Sequence, residues 1–156
     1  MTSFYDLLQP GMTQHLGSHT FSRDEIIEFA SQFDPQPFHL SEDAAAKSHF
    51  GALCASGWHT ISVWMSLNVA HGRQQLIALT GYEGPDPMMG PSPGVRNIRW
   101  SRPVYVGDTI TYSSTITGKK PSTGRPGWAT VLSRSEGVNQ DGQTVLTMDG
   151  AVTMPM

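Results

Sequence analysis

The amino-acid sequence predicts an α+β protein in which an antiparallel sheet wraps around one long central helix. Three observations predict it. Helix signals crowd the first half of the chain, strict alternation marks strands in the second, and residues 57–72 form a helical stretch too apolar for a surface position. No repeat, charge run or low-complexity linker divides the 156 residues, which read as one domain, 1–156. A chain of that length buries about two-thirds of its extended surface, enough for one core.

The first helix begins at Ser22. Glu25 completes a capping box with it, and Phe21 and Ile26 take the positions of a hydrophobic staple. Ile26, Ala30 and Phe33 recur at helical spacing, and Pro35 disfavours helical geometry at Asp34, so the helix stops there. Pro37 acts in the same way on Gln36, which makes Asp34-Pro-Gln-Pro-Phe-His39 a stiff, extended turn. A second, short helix follows from Ser41 as N-cap, with Glu42 and Asp43 in its first turn and Lys47 near its end. In the third, Trp58, Ile61 and Met65 form one apolar row, Trp64 and Leu67 lie beside it, and Gly72 ends it. So apolar a helix needs something wrapped around it.

That wrapping comes from the second half. Between Thr109 and Thr117, Ile110, Tyr112, Ser114 and Ile116 fall on one face and threonines and Ser113 on the other, the period of a half-buried antiparallel strand. Further strands are expected at Val95–Ser101, Trp128–Ser135 and Thr144–Met154, with a tight hairpin at Asp141-Gly142. Segment 83–94 is so rich in Pro and Gly that it is a loop. An open sheet leaves edges that need cover, which points to a homodimer.

Composition narrows the function. A net charge of −3 and a pI near 6.0 argue against nucleic acid as a partner. No apolar run approaches the ~20 residues of a membrane span, and the N-terminus lacks the basic and apolar regions of a secretory signal, so the expected location is the cytoplasm. The single cysteine, Cys54, excludes a multi-cysteine metal centre and reads as a small buried hydrophobe. His49, His59 and His71 show no ligand spacing, so no metal is expected; His15 and His19 lie in a stretch without a clear element. Arg96, Arg99 and Arg102 fit solvated strand positions, with contact to an anionic ligand as the alternative.

Chemistry shows at Asp34 and His39. A carboxylate and an imidazole five residues apart, held by two prolines, can converge on one water molecule, one accepting its proton while the other orients it or donates to a substrate. Spacing alone leaves the plainer alternatives open: Asp34 as a helix-terminal cap and His39 as a satisfied polar residue.

The segment Asp34-Pro-Gln-Pro-Phe-His39-Leu-Ser-Glu-Asp resembles the hydratase motif of the MaoC-like dehydratase family, which includes the (R)-specific enoyl-CoA hydratases. Gln36 stands where that motif usually has Asn. The resemblance continues through Phe50-Gly51 and Ser56-Gly57, where relatives often carry His before the glycine, and resumes at Ile98-Arg-Trp-Ser-Arg-Pro-Val-Tyr-Val-Gly-Asp-Thr-Ile110. It implies a hot-dog fold, usually dimeric, and reversible addition of water to a trans-2-enoyl thioester without metal or redox cofactor. It maps the water-handling pair to Asp34 and His39, and a backbone N–H that binds the thioester oxygen to Gly57. A helix N-terminus suits that role, because its free N–H groups and partial positive charge favour a developing enolate. The substrate expected is an acyl-CoA-type thioester, and the assembly a homodimer or a dimer of dimers. Two alternatives keep the fold: an acyl-CoA thioesterase, and a non-catalytic acyl-thioester-binding subunit.

Overall fold

The computed structural model describes residues 1–156. Five antiparallel strands form one sheet in the order β1-β3-β4-β5-β2. They are β1 (Thr13–Thr20), β2 (Val95–Trp100), β3 (Thr109–Pro121), β4 (Trp128–Val138) and β5 (Thr144–Pro155). The predicted alternation in β3 is the core face: Ile110, Tyr112, Ser114 and Ile116 are all buried. The stretch holding His15 and His19 is β1, an edge strand paired with β3, so the first half is not purely helical. A bulge at Gly17, whose φ of 117° suits a residue without a side chain, lets β1 bend beside Leu67 of the central helix.

Six helices accompany the sheet: α1 (Phe4–Leu7), α2 (Arg23–Phe33), α3 (Pro37–Leu40), α4 (Glu42–Ala46), α5 (Gly57–Leu67) and α6 (Arg73–Thr80). Helix α2 starts at the predicted capping box, with Ser22 and Glu25 bonded reciprocally. Two expectations need correction. Residues 34–39 are not extended throughout, because Pro37 occupies the first position of α3 and places His39 in that helical turn. Proline fits there, since its fixed φ is helical and its missing N–H would have had no partner. Nor does the central helix end at Gly72. It passes through a π turn (Asn68–Gly72) into α6 and ends at Gly81, whose φ is 64°. Gly72 is instead a contact point: its carbonyl accepts from Gln14 Nε2 at 2.7 Å, and a Cβ there would meet Asn68 Oδ1 at 2.7 Å.

The core has two parts. One gathers Leu16, Phe21, Ile26, Val104, Ile110 and Tyr112 beneath α5; the other gathers Phe4, Leu8, Leu76, Ile116, Val131 and Met154 beneath α6. Tyr112 donates its hydroxyl to the Thr60 carbonyl at 2.9 Å, tying sheet to helix, and burial pushes this phenol's pKa up. The apolar row of α5 is not wrapped as expected: Trp58 and Met65 are 54% and 47% exposed, because the sheet covers the opposite side, where Thr60, Trp64 and Leu67 pack. No helix is long and apolar enough to cross a membrane.

Candidate active site

Two elements meet at the start of α5. The end of α2 delivers Asp34 as its C-cap, with the Asp34 N–H donating to the Ala30 carbonyl at 2.9 Å. Segment 53–55, which leads into α5, is held against 104–106: Ala55 N donates to Val104 O at 2.8 Å, and Val106 N to Leu53 O at 3.4 Å. The Pro103-Val-Tyr-Val-Gly-Asp108 motif braces this arrangement. Tyr105 donates its hydroxyl to the Phe50 carbonyl at 2.8 Å, and Asp108 Oδ2 accepts the Tyr105 N–H at 2.9 Å.

The structure brings all three sequence-predicted residues together. His39 Nε2 lies 3.3 Å from Asp34 Oδ2, and Gly57 opens α5 beside them in the same cavity of about 670 Å³. His39 Nδ1 is 2.6 Å from the Cys54 carbonyl. A carbonyl only accepts, so Nδ1 carries a proton and Nε2 is the nitrogen presented to Asp34 and the cavity. In the neutral ring Nε2 bears a lone pair, which seeks a donor rather than a carboxylate. At 3.3 Å the two groups are in direct contact, and both line the cavity, where one small molecule beside them can bond to each.

Asp34 is fixed by two donors that sequence reasoning treated only as departures from the motif. Ser56 Oγ donates to Oδ2 at 2.7 Å, and Gln36 Nε2 donates to Oδ1 at 2.7 Å. Burial pushes the Asp34 carboxyl up, but these two hydrogen bonds and the neighbouring His39 outweigh it and hold the group below the ordinary carboxylate range. Ser56, fully buried, also caps α5 by accepting the Trp58 N–H at 3.3 Å. A serine directly before a glycine-headed helix is an N-cap signal, so this role was visible in the sequence.

Other residues keep a structural place. Cys54 is buried, and desolvation together with the charge of Asp34 raises its thiol to about 11, far from a reactive thiolate. Arg102 stands in the wall of the cavity that holds Asp34 and His39, whereas Arg96 and Arg99 are exposed on the edge strand β2. Trp100, at the end of β2, covers Gly57, and no sequence signal pointed to it. A second cavity of about 510 Å³, mostly apolar, lies between α5 and the sheet, with Ile61, Met65, Met89, Val95 and Met148 among its walls. Strands β2 and β5 and helix α5 contribute residues to both cavities.

A helix cradled by a five-stranded antiparallel sheet is the hot-dog architecture, which MaoC-like dehydratases share. The sequence profile of the MaoC like domain matches residues 8–136, and the chain belongs to that family. It is similar to the crystal structure of the MaoC-like dehydratase from Rhodospirillum rubrum, with 32% identity, a TM-score of 0.82 and coverage of 99% of this chain and 97% of that one. The (R)-hydratase from A. caviae involved in PHA biosynthesis shares the fold at 24% identity and a TM-score of 0.69, over 95% of this chain and 98% of that one. Among curated proteins, YdeM of Bacillus subtilis (strain 168), an uncharacterized protein, is 30% identical over 111 residues, or 71% of each chain.

Proposed function

We propose that this protein adds water reversibly to a trans-2-enoyl thioester of the coenzyme A type, giving a 3-hydroxyacyl thioester. The observation that carries this reading is the Asp34–His39 pair at the tip of α5, with the tautomer of His39 set by the Cys54 carbonyl. A water bound in the cavity beside Asp34 Oδ2 and His39 Nε2 gives its proton to Nε2 as its oxygen bonds to C3. The electrons of the double bond move toward the thioester oxygen, where the Gly57 N–H meets the growing charge. The imidazolium then returns the proton to C2, and the C–S bond stays intact. Asp34 stabilises the imidazolium throughout, which its low pKa suits. The acyl group runs along α5 toward the second, apolar cavity. A second copy pairing along the exposed strand β2 covers Trp58, Met65 and Val95, in a homodimer or a dimer of dimers.

The test is loss of enoyl absorbance with a panel of trans-2-enoyl-CoAs of increasing chain length, beside an assay for free thiol. Asp34→Asn and His39→Ala should each lower turnover by about 10²–10⁴ while leaving the fold intact. Unchanged turnover in either variant removes the mechanism. Thiol release without hydration replaces it with hydrolysis, and binding without turnover across the panel leaves a non-catalytic subunit.

A further inference from the structure

We propose that the indole N–H of Trp100 is a second hydrogen-bond donor to the thioester oxygen, beside the Gly57 N–H; this rests on the hydration reading above. Trp100 closes strand β2, where it pairs with Leu146 of β5, and its ring reaches across to the first residue of α5. A Cβ built on Gly57 would stand 2.5 Å from both Trp100 Nε1 and Cε2 and 2.8 Å from Cδ2. Only glycine admits the ring this close. Trp58 meets it edge-on, with centroids 5.2 Å apart and planes at 75°, and this fixes its tilt.

The contact places two donors within reach of one atom. Standard bond lengths put Trp100 Nε1 no more than about 5.5 Å from the Gly57 nitrogen. Two N–H donors that share one oxygen, each at ~2.9 Å, stand at most about 5.8 Å apart. The indole N–H finds no acceptor within the chain, and Trp100 lines the cavity that holds Asp34 and His39. Burial alone does not account for the ring, which is 44% exposed. Trp donates and does not titrate, so it stabilises charge on the oxygen without entering the proton transfer.

Trp100→Phe keeps an aromatic ring over Gly57 and removes the N–H. It should lower kcat for enoyl-CoA hydration roughly 10- to 100-fold, between the cost of an ordinary hydrogen bond and that of an oxyanion donor, with the pH profile unmoved. Independently, the indole ¹⁵N–¹H signal that is missing from Trp100→Phe, or from Trp100→Tyr where the first variant does not fold, should shift when wild-type protein is titrated with butyryl-CoA, which is saturated and does not react. The proposal needs both results. Turnover within two-fold of wild type overturns it, and so does a signal that stays in place, which would make any loss of rate a packing effect. A wild type that hydrates no enoyl-CoA but shows the shift overturns the hydration reading and keeps the indole contact.

Discussion

Ser56 joins the stability of α5 to the ionisation of Asp34, and the two roles separate by substitution. Ser56→Ala removes the cap on the Trp58 N–H and one of two donors to a largely buried carboxylate. A lost N-cap costs about 1 kcal/mol, and a hydrogen bond to a charged group about 1.5–3 kcal/mol, so Ser56→Ala should destabilise by roughly 2–4 kcal/mol. At this chain length that lowers Tm by roughly 5–15 °C. Ser56→Gly retains most of the capping, since glycine at an N-cap loses only a few tenths of a kcal/mol, and should recover about 1 kcal/mol of the deficit. Both variants lose the donor to Asp34, so the upward push of burial gains weight and the Asp34 carboxyl titrates at higher pH in both. The sign for stability follows from the depressed carboxyl. Its contribution is present above the unfolded value of about 3.9 and is lost as pH falls through the folded pKa, so the gap between wild type and Ser56→Ala narrows in acid. Thermal unfolding and the ¹³C shift of the Asp34 carboxyl followed against pH measure both. If the Asp34 carboxyl titrates as in wild type in both variants, Ser56 is a cap and nothing more.

Two further predictions concern the same helix tip. Gly57→Ala drives a methyl into the Trp100 ring and should destabilise by about 1–3 kcal/mol, with a change in tryptophan fluorescence as the ring swings away; an unchanged Tm and spectrum would show that the contact is not made in solution. His59, buried and stacked on Phe29 with centroids 4.6 Å apart, is held below the ordinary histidine range, burial outweighing the upward pull of Glu25. Its stabilising contribution is therefore present above about pH 6.5 and lost as pH falls below it, because the unfolded chain then binds the extra proton. Tm should fall between neutral pH and the folded pKa, and His59→Phe should flatten that slope; an equal slope in both proteins would place the effect elsewhere.

The parts of this molecule legible in the sequence are those set by local rules. The capping box at Ser22, the alternation in β3 and the convergence of Asp34 with His39 each depend on residues close in the chain. The length of the central helix was misread because Gly72 looks like a terminus, and only Gln14, from a strand distant in sequence, explains why a glycine stands inside the helix. The short helix at Pro37 was hidden by reading proline only as a breaker, although it is an ordinary first helical residue. Trp100 was invisible for a different reason. Its function depends on the register of β2 against β5, which no spacing in one sequence reports.

The π turn at Asn68–Gly72 decouples the two ends of the central rod. One extra residue per turn offsets everything downstream by about 100° of rotation relative to an unbroken α-helix. Deleting a single residue there would close the wide turn into regular α-helix and leave Leu76 facing the lower core, whereas closing it with every residue kept would swing Leu76 away by that angle. The Gly57 end and the hydrophobic anchor of this rod thus keep their relative phase because the wide turn absorbs one residue, and the loss of that residue is the one deletion in the rod that both ends would tolerate.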